Sequence, residues 1–196
     1  MQKRMDIDRQ GGNISTWLRF TVIFMLLAGG VYPFFTTFVA STFFPFQAQG
    51  SLLRDGDVLI GSSLVGQDFV SPQYFIGRPS AANHDPFDVS GSNLAPSNPE
   101  LRLRAAETSR IIAGREGVAA SDIPVALIAA SGSGIDPHIP PQAAALQVPR
   151  VAEARGLSVA EVQALVEQYT QEPTLGLLGM PRVNVLMLNL ALDALE

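Results

Sequence analysis

At 196 residues the chain has room for one domain with an appendage. Only 16% of the residues are charged against 47% hydrophobic, a balance that asks for a membrane segment. The lack of cysteine excludes thiol catalysis, thiolate zinc sites and disulfides. A net charge of −5, with Lys3 the single lysine, argues against nucleic acid as a partner.

After Arg19 no charge occurs until Arg54, and the uncharged stretch Phe20–Leu53 begins with a nearly continuous apolar run. About 20 helical residues cross a hydrocarbon core of roughly 30 Å. The span is therefore expected over 18–40, with Trp17 at one interface and Phe43, Phe44 and Phe46 at the other. Lys3, Arg4, Arg9 and Arg19 precede it, and the positive-inside bias places the tail 1–17 in the cytoplasm and residues 41–196 outside. A cleaved signal peptide is the rival reading, but the apolar run exceeds the usual length of a signal core. Gly29, Gly30, Pro33, Thr36, Thr37 and Ala40 form a stripe of small or kinking residues, the kind of face on which another helix packs closely.

Beyond the span, residues 47–196 carry nine arginines against sixteen carboxylates, net −7. Asp57–Gln67 reads as two short strands around Gly61-Ser62-Ser63. Residues 71–82 and 83–99, punctuated by proline and glycine, read as loop. Asn98 and Pro99 mark a helix start, with the helix running to about Ala113. Ile123–Ala130 reads as a buried strand closed by Gly132 and Gly134. Pro141–Arg155 has a helical pattern with a break expected at Pro149. Ser158 and Glu161 form a capping box for a helix to about Tyr169. Arg182–Leu195 reads as a closing helix. The sum is one membrane helix and one extracytoplasmic α+β domain.

Candidate chemistry is sparse. Ser131-Gly132-Ser133-Gly134 lacks the first glycine of a nucleophile elbow, so a hydrolase using Ser133 and His138 is a minor alternative to a tight turn. A zinc site would require His84, His138 and a carboxylate to converge. Asp136-Pro137-His138 is expected to cap and start the next helix. Gln67, Tyr74, Phe75 and Arg78 form a polar-aromatic cluster that suits either a partner interface or core packing with Arg78 on a carboxylate. An anchored solute-binding module centred on 83–99 is a further alternative.

Several segments, in order, resemble one family. They include Gly30-Val31-Tyr32-Pro33, Gln47-Ala48-Gln49-Gly50-Ser51-Leu52, Ser92-Asn93-Leu94 and Pro96-Ser97-Asn98-Pro99. Phe44-Pro45, Gly66-Gln67 through Ser80-Ala81-Ala82, Ala130-Ser131-Gly132-Ser133-Gly134-Ile135-Asp136-Pro137-His138-Ile139, Gln147-Val148-Pro149-Arg150-Val151-Ala152 and Pro181-Arg182-Val183-Asn184-Val185-Leu186 with Leu188-Asn189-Leu190 complete the set. Together they resemble the C subunit of the bacterial Kdp-type potassium-transporting P-type ATPase. The sequence departs from that family's pattern in having Gly91 alone before Ser92-Asn93 and Met180 where the family has glutamate.

The resemblance implies a single-pass accessory subunit of the bacterial inner membrane, without catalytic residues, cofactor or metal of its own. It implies three partners: a channel-like potassium-binding subunit, the P-type ATPase subunit and a small membrane subunit. ATP and potassium would be handled by those partners, and any effect on nucleotide affinity would be indirect. Gln67, Tyr74, Phe75, Arg78, Ser92, Asn93, Ser133, Asp136 and His138 are the expected interface candidates of the outer domain.

Overall fold

Asn13 accepts a hydrogen bond from the Ser15 amide and caps a helical run from Ile14 to Phe43 in the computed structural model, which describes residues 13–195. Most of the expected cytoplasmic tail, with Lys3, Arg4 and Arg9, lies outside the described residues. The run comprises α1 (Ile14–Leu26), a π-helical turn (Leu27–Val31) and α2 (Tyr32–Phe43). It extends past both ends of the expected 18–40 and, at about 1.5 Å per residue, reaches roughly 45 Å. None of α1 or α2 is buried within the chain.

The π turn has a local cause. Pro33 lacks the amide that an unbroken α-helix would direct at the Gly29 carbonyl, and its ring would press on that carbonyl. The wider turn, closed by the Tyr32 amide on the Leu27 carbonyl, leaves Pro33 in the first turn of α2 where no donor is needed. After α2, Phe44 breaks the helix and α3 (Pro45–Ala48) ends the first of two compact units, which meet in sequence between Ser51 and Leu52.

The second unit opens with a hairpin of β1 (Leu52–Asp55) and β2 (Val58–Ser62). The expected strand pair around Gly61 is therefore corrected. The turn is Gly56-Asp57, with Gly56 at φ +56°, the conformation a two-residue hairpin loop demands of glycine. Gly61 instead lies inside β2, where a β-carbon would collide with the Gln67 amide.

Residues 63–98 hold no helix or strand. α4 (Pro99–Glu116) begins at the Asn98 cap as expected and ends at Glu116, three residues beyond the expected Ala113, with Gly117 as its cap. The expected strand at 123–130 is overturned: a 3₁₀ turn (Ala120–Asp122) is followed by α5 (Val125–Ile128). Ile123 and Leu127, four apart, are buried while Val125 is exposed, a helical rather than an alternating pattern.

A three-stranded antiparallel sheet, in the order β3-β5-β4, joins β3 (His138–Ile139), β5 (Arg182–Asn184) and β4 (Thr170–Gln171). His138 is thus a strand residue opposite Asn184, not a helix start. The extended conformation lets its amide and ring both reach back to Asp136.

The helical stretch 141–155 divides into α6 (Pro141–Ala145) and α7 (Val148–Arg155), with Pro149 in the first turn of α7. α8 (Val159–Gln168) carries the complete Ser158–Glu161 capping box. The closing segment is not helix throughout. Arg182–Asn184 pairs in the sheet, and Asn184 then accepts the Met187 amide to cap α9 (Val185–Asp193). The core gathers Phe75, Ile112, Ile139, Val151, Val162, Val183, Leu188 and Leu192 from the loop, helices and sheet. The fold is a helix-and-sheet unit joined to an apolar N-terminal helix.

Candidate functional site

Residues 72–78 are fixed by buried side chains rather than by a ladder of their own. Asn189, on α9, accepts the Phe75 amide at 2.9 Å and donates to the Phe75 carbonyl at 2.9 Å. Gln147 treats Ile76 in the same way, at 2.9 and 3.0 Å. Two carboxamides therefore replace a neighbouring strand, closing backbone groups that could not be buried unpaired.

Arg150 tightens the same segment. It donates to the carbonyls of Pro72 and Tyr74 and to Gln147, and its Nε meets the wholly buried Glu116 carboxylate at 3.0 Å. Arg115 approaches that carboxylate at 2.6 Å, so Glu116 is neutralised from both sides. Arg155 donates to the Gln73 carbonyl, pairs with Asp193 at 2.6 Å and stacks 5.0 Å over the Tyr74 ring.

This segment delivers Arg78 to Asp136. Arg78 Nη1 lies 2.9 Å from Asp136 Oδ2, while Asp136 Oδ1 accepts the His138 amide at 3.0 Å and faces the ring Nδ1 at 3.2 Å. An ionised carboxylate only accepts, so Nδ1 carries the hydrogen. Burial pushes the Asp136 carboxyl up, but the bonds from His138 and the Arg78 guanidinium outweigh it and hold the pKa at about 2. A carboxylate so acidic, with both oxygens engaged, is a poor general acid or base near neutral pH. The arrangement is a cross-link between loop, turn and sheet. It forms one wall of a cleft of about 430 Å³, which Val125, Ala129, Met180, Pro181 and Arg182 also line. Arg78 Nε is buried without a hydrogen-bond partner.

The other expected residues fall into distinct places. Phe75 is wholly buried, so its expectation as an interface residue is corrected: it is a core side chain. Tyr74 is half-buried against Arg155 and Phe69. Gln67 donates to the Ile60 carbonyl and ties the loop to β2. Ser92 is half-buried, whereas Asn93 is exposed in the left-handed region at φ +48°. Ser133 bonds to the Ser131 hydroxyl and the Ile135 amide, and His138 to Asp136; the structure does not join Ser133 and His138 into a catalytic pair.

His84 approaches Asp68 rather than His138, and among the described residues no group of three His, Cys, Asp or Glu side chains could hold a metal ion. On the first unit, Pro33, Thr36, Thr37 and Ala40 stand on α2, while Gly29 and Gly30 lie in the π turn. The Thr36 hydroxyl is directed to the carbonyls of Tyr32 and Pro33 in its own helix.

Sequence reasoning missed Gln147, Arg150, Asn184 and Asn189 as structural clamps. The available signal was a carboxamide inside an otherwise apolar helical stretch, which in a buried position requires partners. It also missed the apolar turn around Leu175–Leu178.

A family model described as KdpC, K+-transporting ATPase, c chain, matches residues 14–194. The chain is 51% identical over 176 residues to the potassium-transporting ATPase KdpC subunit of Shewanella putrefaciens, covering 90% of this chain and 88% of that one. It is 50% identical over 181 residues to the subunit of the same name from Escherichia coli (strain K12), covering 90% and 95%.

Proposed function

The chain belongs to the KdpC family of potassium-transporting ATPase subunits, and from that premise we propose that it stabilises an ATP-driven potassium import complex by docking to the channel-like subunit. The apolar helix Ile14–Phe43 carries this reading, because it has the length and composition of a span and buries nothing within its own chain. Its apolar surface is matched by lipid and by a neighbouring helix, with Gly29, Gly30, Pro33, Thr37 and Ala40 permitting close approach. The N-terminus lies in the cytoplasm and the second unit outside, beside the outer loops of the channel-like subunit, where it shapes access for the ion. ATP and potassium are bound by the partner subunits, including the P-type ATPase and the small membrane subunit.

Co-purification of the tagged chain with the pump tests this role. A β-carbon at Gly29 or Gly30 meets nothing within 4 Å beyond the neighbouring helix backbone, so the face has room for a side chain. Gly29→Ile or Gly30→Ile is expected to lower both the yield of assembled complex and its transport. Undiminished yield and transport in both variants would refute docking through this face. Protease treatment of intact spheroplasts should digest the second unit; complete protection would reverse the topology.

A further inference from the structure

We infer that the second unit holds a binding cleft for a small organic ammonium ion, recognised by His84 and Asp68. The cleft, of about 480 Å³, lies between the β1–β2 hairpin and the loops at 65–68 and 83–86. That volume is in the range of small-molecule sites. Its walls are mainly hydrocarbon, from Leu52, Leu59, Val65 and Pro86, with the His84 ring set among them. The His84 side chain is only 7% exposed, yet neither ring nitrogen makes a hydrogen bond among the described residues. Nδ1 lies 3.0 Å from Asp68 Oδ1 but out of line for one. Nε2 is on the ring edge that faces Gly66, a lining residue whose β-carbon, if present, would come within 2.7 Å of ring Cδ2. A buried polar group without a partner is costly. So is the backbone that holds it: Asn83 at φ +51° and His84 at φ +56° are successive non-glycine residues in the left-handed region, with the His84 amide tied to Ser80 Oγ at 3.0 Å. Costs of this kind persist where a site requires them.

The donor set selects the ligand. A carboxylate only accepts, so Asp68 favours the ring proton on Nδ1 and leaves Nε2 with its lone pair toward the cleft. The ligand must therefore donate. Among the described residues Asp68 is the one carboxylate of the lining and no lysine or arginine joins it, so the complementary charge is positive. The Asp68 side chain is 71% exposed, which leaves it open to a cation. A primary ammonium meets both demands. It donates one N–H to Nε2, sets its charge against Asp68 and lays its hydrocarbon chain against Leu52, Leu59 and Val65. An anion meets only the like charge of Asp68. A metal ion lacks ligands, because among the described residues no group of three His, Cys, Asp or Glu side chains could hold one. A neutral hydrocarbon would leave the imidazole unpaired.

Isothermal titration calorimetry of the detergent-solubilised full chain with n-butylammonium chloride tests the assignment. Saturable binding is expected, with half-saturation by about 10 mM. n-Butanol, with the same hydrocarbon and no charge, should bind about tenfold more weakly. Asp68→Asn removes the charge at an exposed position, and His84→Asn shortens the side chain while keeping a residue that tolerates the left-handed backbone. Each should weaken binding about tenfold, and Asp68→Asn carries the test by itself if His84→Asn fails to fold. No saturable binding, equal binding of n-butanol, or undiminished binding in Asp68→Asn would overturn the assignment. Binding to the chain alone but not to the chain in the assembled pump would give the cleft to a neighbouring subunit and overturn its assignment to a free amine. The titration of the chain alone needs no partner, so its outcome is separate from that of the docking reading above.

Discussion

The two units use apolar and polar groups in opposite ways. From Ile14 to Phe43 the large hydrophobic side chains face outward, including Phe34, Phe35 and Phe38, and the backbone closes its hydrogen bonds within the helix. From Leu52 onward a core of buried hydrophobic side chains forms, and Gln147, Asn184 and Asn189 are buried with it. The difference follows from how each backbone is satisfied. A helix needs no side chain to pair its amides, so all its side chains can face outward. The irregular segment at 72–78 has no ladder, so carboxamides and arginines must enter the core to complete it.

The largest expected effect tests that claim directly. Arg150→Ala removes the bonds to Pro72, Tyr74 and Gln147 and leaves buried Glu116 with Arg115 alone. A loss of about 3–5 kcal/mol is expected, read by urea unfolding of the detergent-solubilised chain. An unchanged midpoint would mean that 72–78 is held by packing alone.

The contrast between units is sharpened by two truncations. Leu188→Ala, in the core, should cost about 3 kcal/mol. Phe35→Ala, on the exposed helix, should leave the unfolding of the second unit within about 0.5 kcal/mol. Similar losses for both would show that the two units unfold as one.

Asn189→Leu keeps the volume but strands the Phe75 amide and carbonyl, and should cost about 2 kcal/mol. Rescue of stability by Asn189→Asp would show that accepting the amide is the larger part of the clamp.

The smallest expected effect depends on pH. The Asp136 carboxyl, ordinarily near the usual carboxylate value, is lowered to about 2 in the folded chain. Its contribution is therefore fully present above the unfolded value of about 4 and is lost as pH falls toward 2. Asp136→Asn should cost about 1 kcal/mol at neutral pH, allowing for solvent screening of a partly exposed group, and the gap to the native chain should close between about pH 4 and 2. A gap independent of pH would show that geometry, not charge, supplies the stabilisation.

The apolar N-terminal helix, the Asn98 helix start and the Ser158–Glu161 capping box were legible because each is set by residues within a turn or two of one another, whereas the break expected at Pro149 falls at 146–147 and leaves Pro149 inside α7. The hairpin turn lies at Gly56-Asp57 rather than at Gly61, whose lack of a β-carbon makes room for Gln67 instead of a turn. Residues 123–130 hold a short helix where the sequence suggests a strand, because a short apolar run does not reveal its period until its buried side is known. Among the site residues, the local pairing of Asp136 with His138 could be anticipated from their spacing, and a core Phe75 with Arg78 on a carboxylate was one of the two readings open in the sequence. That the carboxylate is Asp136, and that Asn189 closes the Phe75 backbone, could not be read there.

By itself the sequence determined an apolar N-terminal helix, a mixed helical and stranded unit, and the family to which the chain belongs. These depend on length, on capping chemistry and on the order of short motifs, all of which are local. Only the tertiary structure decided that β3 pairs with β5, that Gln147 and Asn189 serve as a substitute strand, and that Leu175–Leu178 stand outward on a closed turn. Those outcomes depend on which distant backbone groups are left without partners once the core has packed, and no local pattern encodes that.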